Sequence, residues 1–242
     1  MRFNGVDPRE ISSKIFPSRE IVQAIPPRTN RTLETAGGPL YAGQSLQARQ
    51  IKVSMNFAGR SHENANELVR LWNAVVCTDT PGELELTHMP GHAFTAILES
   101  AGEMSWQWGF GTIEYVFSAL RPFMHSTAES VVSAYATCRI EPRGTVPIRP
   151  KITHTMANAA AELILSLDSV PIFRLRPATG TFSVGTILVI DFEKRLIKMG
   201  GQPAMTLVDY TASNWHPDIK KACTLSLSDA GATEIRWRDE WM

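Results

Sequence analysis

The sequence lacks an excess of charge of either sign. Its 242 residues carry 24 Lys and Arg against 24 Asp and Glu. The balance is local as well as global, with 11 basic and 12 acidic residues up to residue 125 and 13 and 12 beyond it. A protein that grips duplex nucleic acid by neutralising phosphates usually carries a basic excess or stripe, so bulk charge excludes that class. Long apolar runs are missing too. None approaches the ~20 residues that span a bilayer, and MRFNGVDPREISSK lacks the apolar core, roughly 7–15 residues long, of a signal peptide. That predicts a chain made and folded in a cytosol, without a membrane partner. Cysteine is scarce: Cys77, Cys138 and Cys223 are odd in number, far apart and linked by no CxxC or Cys/His spacing. The pattern argues against a disulfide framework, and a buried inert thiol is expected at each. Nucleophile elbows and phosphate-cradling loops are absent. Gly109-Phe110-Gly111 is a lone GxG that leads into a strand, so it presents no helix N-terminus to a phosphate.

What is present reads as β structure. In residues 50–57, Ile51, Val53, Met55 and Phe57 alternate with Gln50, Lys52, Ser54 and Asn56, the period-two signature of a strand with one dry face. A turn at 59–61 follows, with Ser61 placed as a helix N-cap and Glu63 in the first turn. Ala65, Leu68, Leu71, Trp72, Val75 and Val76 then recur at helical spacing, predicting one amphipathic helix over about 62–77. Thr-Asp-Thr-Pro-Gly at 78–82 stops it. Strands are expected at 84–86, 93–99 and 112–120, with a turn at 89–92. The first 47 residues are punctuated by prolines, with short strands at 11–16 and 20–25. Residues 26–47 form a polar stretch that is either an extended hairpin or a long loop, and a long loop in a compact domain is more often functional than idle.

The second half is again strand-like: 131–140, 152–155, 161–167, 172–175, 186–190, 195–199, 222–226 and 233–238. Residues 157–167 have some helical propensity but are assigned to strand by context. Many short strands at regular spacing indicate a sandwich. The expected fold is mainly β, with two sandwich-like domains at 1–125 and 126–242.

Candidate chemistry is thin. His88 and His92 are four apart, but Pro90 and Gly91 lie between them, so they form no helical metal pair and read as two surface histidines. Glu83/Glu85 and Asp191/Glu193 are i, i+2 pairs on strands, where acidic side chains belong on the solvent face; a glycosidase pair is the weaker reading. No catalytic, metal or cofactor site is expected, and the chain is read as no enzyme. Trp106 and Trp108 share one strand face and suit a core or subunit interface, with sugar stacking as the alternative.

The order of signals carries more than any one residue. Arg49–Ile51, the turn at 59–61, the helix, the turn at 79–82, Leu84 and Leu86, the hairpin at 90–96, and the strand from Thr112 running into Pro122-Phe123 come in succession. This succession resembles the N-terminal pattern of the distal tail protein family of long-tailed, siphovirus-type bacteriophages. In the second half Val189-Ile190-Asp191 and residues 195–199 resemble the family's galectin-like C-terminal sandwich. Residues 228–232 stand where that sandwich closes with a Pro- and Asn-containing turn and have neither. The resemblance implies a structural virion protein at the tail tip, assembled in the host cytoplasm. Six copies would form a hub ring joining the tail tube protein to the tail-tip protein, with receptor-binding proteins at its rim. The genome would pass through without being specifically bound, which predicts a neutral to acidic channel lining. The first domain would form the belt, and the 28–47 stretch would be an arm to a neighbouring subunit. Arg28, Arg31, Tyr41, Trp106 and Trp108 are the candidate ring contacts. The competing reading is a carbohydrate-binding module for host-surface attachment, with Trp215 as the candidate glycan contact.

Overall fold

The computed structural model describes every residue except 36, 37, 108 and 178. Contacts divide the chain into two units, Met1–His125 together with Met242, and Ser126–Trp241.

The first unit runs β1 (Arg2–Phe3), α1 (Pro8–Ile11), β2 (Ile15–Val22), β3 (Arg28–Thr35), β4 (Gly38–Leu46), β5 (Arg49–Ala58), α2 (His62–Val76), β6 (Gly82–Glu85), β7 (His92–Ala101), β8 (Ser105–Gln107), β9 (Phe110–Ala119) and β10 (Met124–Ser126). The main strand order is β1-β6-β7-β9-β5-β2, with β8 added beside β9. Period-two alternation decides which face is dry: Ile51, Val53, Met55 and Phe57 of β5 and Ile113, Tyr115 and Phe117 of β9 are all buried. Strand β7 turns a corner. Residues 93–96 pair with β6 and 97–101 with β9, with a register shift between Leu98 and Ser100. The bend wraps the sheet around its own core, where Phe3 of β1 meets Phe117 of β9 with ring centroids 5.6 Å apart.

Helix α2 closes this core. The Ser61 hydroxyl accepts from the Asn64 amide at 3.3 Å, satisfying one of the orphan donors of the first turn. Ala65, Trp72 and Val76 are fully buried, and the Tyr115 hydroxyl donates to Asn73 at 2.8 Å, tying helix to sheet. Gly82 after the helix has no alternative: a Cβ there would strike the Asn4 side chain and the Phe3 ring.

In the second unit the described residues form two sheets. One has the order β11 (Ser130–Tyr135), β20 (Ala232–Trp237), β13 (Lys151–Thr155), β16 (Ile187–Asp191), β17 (Leu196–Met199) and β18 (Gln202–Pro203). The other has the order β12 (Thr137–Ile140), β19 (Cys223–Leu227), β14 (Leu163–Leu167) and β15 (Val170–Leu175). A short β21 (Glu240–Trp241) follows. Ile152, Leu188, Ile190, Ile197 and Ile235 from the first sheet and Ile140, Leu165, Phe173 and Leu225 from the second fill one common core, which makes a sandwich.

The mainly β architecture and the single long helix agree with the sequence reading. Several details do not. The strand expected at 11–16 is instead α1, capped by Asp7 with Pro8 in its first turn, followed by β2; one strand through Pro17 replaces the two short ones, with a register shift between Pro17 and Arg19. Proline cannot donate to a ladder, and the irregularity at that point accommodates it. The strand expected at 131–140 is two strands in two sheets, split at Ala136, whose φ of 56° turns the chain between them. Leu71, placed on the apolar helix face, is 48% exposed. Cys77 is exposed rather than buried, because it is the residue that ends α2; Cys138 is buried and Cys223 half-buried.

Candidate assembly surface

The stretch at 26–47 is a hairpin. β3 and β4 pair only with each other, in register from Arg28 with Leu46 to Thr35 with Gly38, with a shift between Arg31 and Thr32. One polar ladder runs along it, in which Gln44 donates to Asn30 at 2.9 Å and Arg28 reaches Gln44 at 3.4 Å. Arg28, Arg31 and Tyr41 are exposed. Leu33 and Leu40 stand directly opposite one another, beside Tyr41, and these three are 62%, 59% and 66% exposed. The ribbon thus exposes the Leu33–Leu40 pair on one face and Tyr41 on the other, with no core beneath either.

The root of this arm is built by Arg49. Its guanidinium is buried and donates from Nε to the Gln23 carbonyl at 2.6 Å, from Nη2 to the Ala24 carbonyl at 2.8 Å and from Nη1 to the Pro122 carbonyl at 3.3 Å. It also lies 5.5 Å from the centre of the Phe94 ring, a cation–π distance. Burial holds its pKa below the ordinary arginine value. A planar fork can span three carbonyls from two chain segments, which an ammonium cannot. Gln47 closes the root by donating its amide to the Pro27 carbonyl at 2.8 Å. Two motifs of the sequence pattern, Arg49–Ile51 and Pro122-Phe123, therefore meet at one hydrogen bond. The signal for Arg49 was available: it has the parity of Ile51 and Val53, the dry face of β5.

Trp106 lies on β8, half-buried against the first core and stacked on His62 with ring centroids 4.4 Å apart. Trp108 lies outside the described residues. Trp215 is in the second unit, half-buried, its ring edge-on to Phe173 at 4.6 Å and Phe192 at 6.0 Å; in this position it packs against the sandwich core. The fold does not bring Trp215 onto the outer face of a strand.

His88 Nδ1 is 2.9 Å from Glu20, and His92 Nδ1 is 3.1 Å from the Pro90 carbonyl. Among the described residues no group of three His, Cys, Asp or Glu side chains could hold a metal ion. Asp191 accepts from the Lys194 amide at 2.8 Å, a turn-forming role.

A buried titratable pair in the second unit has no local signature in the sequence. Asp229, in the β19–β20 turn, accepts from the amides of Ala157 (2.7 Å), Asn158 (3.0 Å) and Gly231 (3.0 Å) and from the Asn158 side chain (3.1 Å). His154 lies between it and Thr233, with Nε2 3.1 Å from Asp229 and Nδ1 2.8 Å from the Thr233 hydroxyl. Burial by itself would raise the Asp229 pKa, but the Ala157 and Asn158 donors outweigh it and hold the carboxyl below its ordinary value. Burial lowers the His154 pKa, and Asp229 only partly offsets that. The neutral tautomer that suits both contacts donates from Nε2 to Asp229 and accepts at Nδ1 from Thr233. This is a structural clamp on the turn at 228–232, where the expected Pro and Asn are missing. It holds that turn with a carboxylate instead.

Two mainly β units and a hairpin whose strands pair only with each other are the features to set beside known proteins. Residues 143–241 match the family of siphovirus-type tail components, C-terminal domain. The distal tail protein of Bacillus phage SPP1 is 22% identical over 177 residues, which cover 72% of this chain and 70% of that protein. The crystal structure of the SPP1 Dit protein, described as a paradigm of the hub adsorption apparatus in phages infecting Gram-positive bacteria, shares the fold with a TM-score of 0.79. That likeness holds at 16% identity over 99% of this chain and 98% of that one. Residues 143–241 thus match the siphovirus-type tail component family, and the chain resembles the distal tail protein of Bacillus phage SPP1 in sequence and in fold.

Proposed function

We propose that this protein is the hub at the distal end of a phage tail, six copies closing into a ring between the tail tube protein and the tail-tip protein, with receptor-binding proteins at the rim. The observation that carries the reading is the hairpin of β3 and β4. An isolated two-stranded ribbon is at best marginally stable in water. This one also exposes Leu33, Leu40 and Tyr41. A groove on the next subunit would bury these side chains on both faces of the ribbon, and repetition of one such head-to-tail contact closes a ring when its rotation allows. Arg28, Arg31 and Tyr41 supply the arm's contacts, and Trp106 of β8 contributes from the first unit; Trp108, the other candidate contact, lies outside the described residues. The ring places a neutral to acidic lining around the passing DNA, which it does not grip. The role is structural, with no catalytic step, in the assembled virion tail.

The test is deletion of residues 31–41. The register then joins Asn30 to Ala42 and leaves Ala42-Gly43 as a two-residue turn opposite the retained Asn30–Gln44 pair. Negative-stain microscopy and light scattering should show channelled rings for the parent, alone or with its tail partners, and a monomer for the deletant. A deletant that assembles like the parent overturns the arm's role.

A further inference from the structure

The outer face of the sheet formed by β11, β20 and β13 is unusual for a solvated face. Its cross-strand rows are set by the register: Tyr135 lies opposite Ala232, Ser133 opposite Glu234 and Glu234 opposite Thr153. Long polar side chains normally crowd such a surface. Here Ser133, Ala232, Thr153 and Thr155 are short, and they leave an open trough of about 400 Å3, within the ~300–1,000 Å3 range of small-molecule sites. Tyr135 stands at its edge, 77% exposed. Glu234 lines it and is fixed from outside: Arg236 Nε is 2.7 Å from one of its oxygens, and Arg236 is in turn 3.4 Å from Glu129. The Arg236 hydrogen bond keeps the Glu234 carboxyl below its ordinary pKa, so it is an anchored acceptor at neutral pH.

We propose that this trough binds a neutral pyranose unit of a polysaccharide, with Tyr135 stacking on the sugar's C–H face and Glu234 accepting from its hydroxyls. The chemistry matches part by part. An aromatic ring with one exposed face offers a large apolar contact at small entropic cost. A carboxylate accepts from two vicinal hydroxyls, and Ser and Thr hydroxyls both donate and accept, as sugar hydroxyls do. Glu234 and Glu129 are balanced by Arg236 and Lys151, so this face offers no net charge to a charged sugar and suits neutral units. The trough lies wholly within the second unit, so the proposal does not rest on the ring, and its failure would leave the ring reading untouched. The site is open, so affinity for one unit is expected only in the millimolar range, roughly −4 kcal/mol.

The experiment is an amide chemical-shift titration of the full chain with maltotriose, cellotriose, chitotriose and lactose, each to ~10 mM. At least one should shift the amides of residues 133–135, 153–155 and 232–234 together. Tyr135→Ala and Glu234→Gln should each weaken that binding about tenfold or more, with thermal melting unchanged because both side chains reach the surface. Three results would overturn the proposal: no shift from any probe, shifts that map elsewhere (around Trp215, for instance), or binding that survives Tyr135→Ala intact.

Discussion

Replacing Arg49 by Met tests whether one buried fork holds the root of the arm. Methionine fills a similar volume with an unbranched chain, so the change removes the donors with little loss of packing. Three carbonyls lose their partner. Those of Gln23 and Ala24 lose hydrogen bonds of 2.6 and 2.8 Å, and that of Pro122 loses a longer one of 3.3 Å. A hydrogen bond to a charged group contributes about 1.5–3 kcal/mol, so the two short ones carry about 3–6 kcal/mol between them. Relief of the buried cation's desolvation offsets part of this. A net loss of about 3 kcal/mol remains, which lowers the melting temperature of a unit of this size by about 10 °C. Scanning calorimetry should show the loss in one transition. Hydrogen exchange should localise it, with faster exchange at the Gln23 and Gln47 amides, which close on Gln50 and Pro27 at the arm's root. Arg49→Lys should recover less than half of the loss, because an ammonium is a point and not a fork. A methionine variant that melts within about 2 °C of the parent, with unchanged exchange at the root, would refute the reasoning.

The remaining predictions concern the second unit. Its stability should fall on acidification in two stages. Neutral buried His154 has a folded pKa below its ordinary value, so the unfolded chain gains the proton first and stability declines as pH drops below about 6.5. Asp229 is likewise depressed, so its contribution is present above about 3.9 and is lost as pH falls further through its folded value. Chemical denaturation across pH 3–8 should show both limbs, and Asp229→Asn should flatten the lower one while costing about 3 kcal/mol at neutral pH, since an amide nitrogen cannot accept from backbone donors; an unchanged lower limb would count against the clamp. Gly231→Ala should destabilise the same unit by several kcal/mol, about 2–4, because a Cβ there would run into the Thr155 carbonyl and crowd the Asp229 carboxylate, which lies 2.8 Å from that position. A melting curve superimposable on the parent's would show that the backbone yields there.

Local, periodic features were legible without a structure. The dry face of β5, the extent of α2, the Ser61 cap and the short strands of the second half follow from side-chain alternation, helical spacing and capping chemistry, all of which act within a few residues. The sequence pattern does not choose between ribbon and loop at 26–47, because its polar pairs have no buried face to set a period. Strands β11 and β12 read as one strand in the sequence because nothing local marks Ala136 as a turning point.

The buried polar groups depended on position in space. Asp229 reads as an ordinary turn aspartate through its bond to Gly231 two residues on, yet its other donors come from 71, 72 and 75 residues away. The sequence alone determined a mainly β chain with one capped helix and an ordered set of motifs resembling those of one family, because those depend on backbone geometry and short-range spacing. Only the tertiary structure decided that Arg49 joins Gln23, Ala24 and Pro122, that Asp229 clamps a turn through His154, and that four short side chains beside Tyr135 leave a trough. Each needs strands distant in the chain to be neighbours in a sheet, and pairing and register set that.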